Sequence, residues 1–308
     1  RAMLKHNSRV PGAFQAALGL IDRYIRVRKP GFVATLIAST ILAVFFVWVP
    51  WENYAGLGFP DRDNYVASIH VLMDSGARFI DFKDEDFLYL LLNEYLWTIV
   101  LLFIGIYFDD PNNGLLFFSA MAVAIVSFSI IQRAGLTYAV VLLLSPLAVD
   151  LFISQSRSAF ALAIFMAAIM TRNTAVRYVL FVASFFIHSF AVVLFGAYKV
   201  SDLLLRTTRF NERTKLAAAL VMGLLLSAIW AFLAQDILGA IGDRRAFQIG
   251  SETNSLALAF WWACLLFAMA LFVRLDHDPR AGNYVMLAIA LQSMFVFSVL
   301  LGASNLRF

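Results

Sequence analysis

Seven apolar runs of bilayer length govern what this chain can fold into: 32–51, 114–131, 135–153, 155–171, 216–238, 255–274 and 282–301. A spanning helix needs about 20 apolar residues, within a range of about 17–25. The chain is 62% hydrophobic and 14% charged, with a mean hydropathy of +0.80. Soluble domains are about 45–50% apolar and about 25% charged. Two further segments are interrupted: 88–108 carries Asn93 and Glu94, and 176–198 carries His188 in its middle. The expectation is an all-α, polytopic membrane helical bundle of about eight to ten membrane segments, some re-entrant or broken.

Two regions follow from the same pattern. Residues 1–31 read as a cytoplasmic or interfacial N-terminus, in which 12–28 form a basic amphipathic helix on the membrane surface. No cleavable signal peptide is expected there, since no apolar core precedes a small-residue cleavage site. Residues 32–308 read as a single transmembrane domain. The polar stretches 52–87, 199–215 and 239–254 are too short for a second folded domain, and no internal repeat is visible. The lone cysteine, Cys264, excludes an intrachain disulfide and has no visible partner for thiol catalysis.

The net charge of +4 reports orientation rather than nucleic-acid binding. Arg1, Lys5, Arg9, Arg23, Arg26, Arg28 and Lys29 precede the first run, which predicts a cytoplasmic N-terminus. Residues 52–87 hold eight acidic residues against three basic ones and suit the outer side, whereas 199–215 hold five basic residues and suit the inner side. Two threadings satisfy these ends. In one, every run crosses once and Arg157 faces the cytoplasm. In the favoured one, 88–108 dips in and returns, and 176–187 rises to a break at His188 before 189–199 descends. Arg133, Arg172 and Arg177 then lie inside, and Arg157 shares the outer side with His188. Single cysteines introduced as Ser158→Cys and Ser189→Cys in a Cys264→Ser background test this expectation. Both should react with an impermeant thiol reagent added outside, and reaction at only one rejects the shared-side threading.

Arg157 and His188 matter because each is ionisable within apolar sequence. A charge at bilayer depth costs about 2.5–3.5 kcal/mol on insertion scales, and such residues mark functional sites by default. The bland alternatives are an Arg that snorkels to the interface and a buried His that bonds a neighbouring helix.

The order of polar features resembles the EpsG-like, Wzy-type bacterial exopolysaccharide (O-antigen) polymerases. Asp61 and Tyr65 stand as D-x-x-x-Y after an early span, and Glu85 precedes an aromatic and apolar run, with Asp86 where the family usually has Pro. Asp110-Pro111 form a turn before the next run. Gln155-Ser156-Arg157-Ser158-Ala159 matches the Arg of the family's I-R-Q, and Phe186-Ile187-His188-Ser189-Phe190-Ala191 matches the His and Ala of F-H-x-S-A. Asn305-Leu306-Arg307-Phe308 fits the start of the late Arg-aromatic motif. The likeness covers about 52–200 and the last few residues. Each motif is weak alone, and their order carries the resemblance.

The resemblance implies a GT-C-like fold in the bacterial inner membrane and glycosyl transfer between undecaprenyl-diphosphate-linked glycans, donor and acceptor, on the periplasmic face. It implies a chain-length regulator and a flippase as companions. Arg157 and Arg307 are the expected diphosphate ligands, with Arg244 and Arg245 as further candidates, because the planar guanidinium grips phosphate bidentately. His188, Asp61 and Glu85 are the catalytic candidates for handling the acceptor hydroxyl. Tyr65 and Tyr89 are candidates for sugar stacking, with an interfacial aromatic belt as the bland alternative. No cofactor is expected. Asp276-His277-Asp278 reads as a solvated loop rather than a metal site, and Asp150 is expected to pair with Arg157. An O-antigen ligase, another lipid-linked glycosyltransferase, or a non-enzymatic transporter or flippase remain open alternatives.

Overall fold

The computed structural model describes residues 31–51, 53, 59–76, 94–144, 146–207, 211–240, 260, 263–264 and 279–301. All regular structure among them is helical. In chain order the helices are α1 (Phe32–Trp48), α2 (Pro60–Asp74), α3 (Tyr95–Tyr107), α4 (Pro111–Ala134), α5 (Leu136–Leu143), α6 (Pro146–Val149), a π-helical turn (Asp150–Ser154), α7 (Ser156–Met170), α8 (Thr174–Ile187), α9 (Ala191–Arg206), α10 (Glu212–Ala240) and α11 (Pro279–Leu300). The chain divides into two compact units, 1–76 with 101–177, and 77–100 with 178–308. The amphipathic 12–28 segment lies outside the described residues, as does nearly all of the run 255–274.

In the first unit α4 is the central helix. Its start is written in the sequence: Asp110 caps it by accepting a 2.9 Å hydrogen bond from the Asn112 amide, and Pro111 occupies the first turn, where a missing N–H costs nothing. Asp110→Ala should destabilise this unit by about 1 kcal/mol, readable as a lower thermal midpoint in detergent. Among the described residues, Pro111–Arg133 is the one helix long and apolar enough to cross a membrane.

The contact between α1 and α4 is made by small and polar residues, while large apolar ones face outward. Thr35, Ser39, Ala43 and Phe46 are buried along one stripe of α1. Thr35 is fully covered and accepts a 2.7 Å bond from Gln132 Nε2 of α4. On the opposite side Val33, Ile41, Val44 and Trp48 are exposed, Trp48 to 80%. Water penalises such an exterior at about 25 cal/mol per Å² of apolar surface, and hydrocarbon does not. Small residues at helix contacts and bulky ones outside are the pattern expected of helices packed in lipid.

The run 135–153 is not one helix. It is divided into α5, α6 and the π-helical turn. Pro146, which has no N–H to donate, marks a kink in the sequence, and the run breaks there. Part of the acidic stretch 52–87, expected to be a solvated excursion, forms α2. Its inward face carries Asp61, Tyr65 and Ile69 at successive i, i+4 positions, and Ile69 is fully buried. Helix α2 packs on α4 and on the π-helical turn, and Arg62 Nε donates to Asn112 Oδ1 at 3.1 Å.

In the second unit α10 and α11 lie together along a stripe of small residues. Ala219, Gly223 and Ser227, spaced by four, meet Met286, Ile289, Ala290, Ser293 and Ser298. Ser227 and Ser298 hydroxyls pair at 3.0 Å, satisfying two buried groups. Helix α9 also packs on α11. The segment 176–198 is interrupted as the sequence predicted, with α8 ending at Ile187 and α9 beginning at Ala191.

Candidate functional site

Arg157 is placed by an irregular approach to α7. The π-helical turn closes with the Gln155 amide donating to the Asp150 carbonyl at 3.0 Å. Gln155 leaves helical geometry at φ −95°, ψ 50°, and α7 starts at Ser156. Arg157 is therefore the second helical residue, near the start of the apolar run 155–171. The first turn of a helix presents unpaired amides and the positive end of the dipole. Single π turns recur at functional sites because they re-aim side chains without ending the helix. Ser156 anchors the turn from below, its hydroxyl 3.2 Å from that of Ser119 in α4, both buried.

The guanidinium of Arg157 lies over the Tyr65 ring, with Cζ 6.0 Å from the ring centre. A contact at that range is a weak cation–π interaction, of order 0.5–1 kcal/mol where solvent reaches it. Its geometric effect is the larger one: an Arg and a Tyr that are 92 positions apart in sequence become neighbours, and Asp61 shares the Tyr65 face one turn earlier. Three residues of the predicted set thus cluster in the first unit. The Asp150 carboxylate accepts a 2.9 Å bond from Gln155 Nε2. It braces the π-helical turn instead of pairing with Arg157, because the turn brings the side chain five residues ahead closest to it.

His188 stands at the interruption between α8 and α9, in the second unit. No glycine or proline breaks the helix there. Ala191, Val192 and Val193 amides bond the carbonyls of His188, Ser189 and Phe190 at 2.9, 3.1 and 2.9 Å, a tight turn built from ordinary residues. The anchor is tertiary. Nδ1 of His188 lies 2.5 Å from Oε1 of Glu94, and the two side chains are only 11% and 8% exposed.

Glu94 was visible in the sequence only as one of two polar residues in an apolar run. It immediately precedes α3, and its carbonyl accepts from the Trp97 and Thr98 amides at 2.8 and 3.2 Å. Its backbone has φ 56°, and it is the one non-glycine residue with positive φ among those described. Holding a non-glycine residue in this region costs roughly 1–3 kcal/mol and persists only where surrounding structure enforces it. The signal that could have found Glu94 is the one that found His188: an ionisable side chain in apolar surroundings.

Glu85, Tyr89, Arg244, Arg245 and Arg307 lie outside the described residues, as do Asp276, His277 and Asp278. Asp63 is exposed on α2. Among the described residues no group of three or more His, Cys, Asp or Glu side chains is arranged to hold a metal ion. Comparison of the chain with protein-family models, with curated proteins and with solved structures finds no match.

Proposed function

We propose that this protein is a multi-pass enzyme of the bacterial inner membrane that polymerises undecaprenyl-diphosphate-linked oligosaccharide repeat units on the periplasmic face, in the manner of the EpsG-like, Wzy-type polymerases it resembles. The observation that carries the reading is the buried His188–Glu94 pair at the interruption of an apolar helix. Two ionisable groups kept out of water are costly, and a paired imidazole is suited to moving a proton. The placement of Arg157 in the first turn of α7 supports it from the binding side.

In the proposed reaction an acceptor sugar hydroxyl attacks the anomeric carbon of the donor glycan. The new glycosidic C–O bond forms as the bond from that carbon to the diphosphate oxygen breaks. The electron pair leaves with undecaprenyl diphosphate, and the hydroxyl proton passes to Nε2 of His188. Arg157 holds the diphosphate, whose negative charge grows as the bond breaks, so its grip strengthens in the transition state. Tyr65 and Asp61 offer a ring face and a carboxylate to the sugar or lipid headgroup next to that arginine.

Purified protein supplied with lipid-linked repeat units should produce a ladder of longer glycans and release undecaprenyl diphosphate. Transfer of a finished glycan to a different acceptor, with no ladder, would make it a ligase. The broken α8–α9 pair also suits a transporter, since discontinuous helices line transport sites. Movement of the lipid-linked unit across vesicles without bond formation would decide for that second reading and against the first.

A further inference from the structure

We infer that Glu94 is the positioning residue of the proposed proton transfer, fixing His188 with its proton on Nδ1 so that Nε2 is the nitrogen that accepts from the sugar hydroxyl. The inference rests on the polymerase reading for its reaction and on geometry for its structure. With Glu94 ionised its oxygen can only accept, so the imidazole nitrogen 2.5 Å from it is the one that carries hydrogen. A neutral imidazole has one such nitrogen, and the remaining one is then basic. The same carboxylate stabilises the imidazolium formed when Nε2 takes a proton.

Three observations show that the position of Glu94 is enforced and not incidental. Its backbone is held at φ 56°, where a glutamate does not rest by preference. Its carbonyl starts α3 through bonds to Trp97 and Thr98, so that conformation is tied to a rigid element. His188 is held from the other side, its amide bonded to the Ser184 carbonyl at 3.0 Å and its carbonyl to the Ala191 amide at 2.9 Å, which fixes the base of the ring. Both side chains are buried, so water does not compete for Nδ1. Paired on two anchored backbones, the ring has one orientation and one tautomer.

The experiment uses the full-length protein in lipid nanodiscs with ¹⁵N-labelled histidine, the His188 signals being assigned by their loss in His188→Ala. At neutral pH the wild type should show a protonated Nδ1 and an unprotonated Nε2. Glu94→Gln keeps an acceptor for Nδ1–H but removes the charge, and should retain this tautomer. Glu94→Leu removes the acceptor and should shift the proton toward Nε2. In the chain-growth assay kcat should fall about 10-fold in Glu94→Gln, where an acceptor remains, and about 100-fold or more in Glu94→Leu, a loss within the range of general-base contributions, with KM for the lipid-linked unit unchanged. A wild-type proton on Nε2 alone, an imidazolium at neutral pH, or a Glu94→Gln enzyme with wild-type kcat overturns the inference. If Glu94→Leu does not fold, the wild-type spectrum and the Glu94→Gln rate still decide it. A wild type with the Nδ1–H tautomer that extends no glycan sinks the polymerase reading and leaves the pairing standing, so the two failures are distinguishable.

Discussion

Arg157→Ala should lower the rate of chain growth by about 100- to 1,000-fold, the loss typical when a preorganised group that meets developing charge is removed. In the proposed reaction the leaving group is a diphosphate, whose charge rises as the sugar–oxygen bond breaks. On that proposal the Arg157 guanidinium, in the first turn of α7, would meet the charge together with the amides of the helix end. Arg157→Lys should recover only part of the loss, because an ammonium keeps the charge but not the bidentate fork. The fold should survive, since Arg157 is not in the fully buried core and α7 is held by Ser156, Ala159, Ala163 and Phe165 beneath it. The measurement is a time course of glycan length with purified variants, beside a thermal melt. Wild-type rates in Arg157→Ala would remove this residue from the site.

The largest structural effect is expected at Gly223. A Cβ there would lie 1.8 Å from Ser293 Oγ, 2.3 Å from the Ala290 carbonyl oxygen and 2.7 Å from the Met294 amide nitrogen. The serine hydroxyl could rotate away, but the other two atoms are backbone of α11. Any side chain at 223 must therefore push α10 and α11 apart, breaking the Ser227–Ser298 bond and opening the Ala219, Met286 and Ile289 core. Gly223→Ala should cost about 1–3 kcal/mol, the usual penalty of overpacking, and Gly223→Leu should leave no stable α10–α11 pair. Gly196 in α9 is the control: nothing lies within 4 Å of its Cβ position, so Gly196→Ala should be neutral or stabilise by up to about 1 kcal/mol. Thermal midpoints of the three variants in detergent test the contrast. A Gly223→Ala protein as stable as Gly196→Ala would show that the helices do not approach this closely.

Several elements were legible because their cause is local. Asp110 and Pro111 announce the start of α4 through a cap and a fixed φ, and the structure has both. Arg157 falls in the first turn of its helix because the polar Gln155-Ser156 pair ends one run and the apolar ALAIFMAAIM begins the next. The interruption at 188 was drawn from the placement of Lys and Arg and from the family resemblance, although its length and the turn that makes it were not legible.

Other features could not be read locally. The π-helical turn is one: the sequence marks a kink at Pro146 but nothing that unwinds the run at Asp150, and Phe152 and Ile153 of the turn are buried. The partner assigned to Asp150 was wrong for that reason: with Arg157 two residues beyond Gln155, the choice between them rests on how the turn is wound. The stripe Ala219, Gly223, Ser227 is plain in the sequence, but its value lies in what faces it: Ser293, 70 residues after Gly223, and Ser298, 71 residues after Ser227.

By itself the sequence determined that the chain is helical and apolar, and which ionisable residues stand where apolar surroundings make them expensive, because helix length, caps and hydropathy are properties of neighbours along the chain. Only the tertiary structure decided that His188 is held by Glu94, 94 positions away, and that Arg157 lies beside Tyr65. Hydrophobic burial sets how much of a helix is covered but not what it meets. Which polar groups meet depends on hydrogen-bond geometry between distant segments, and that is fixed only once the helices have packed.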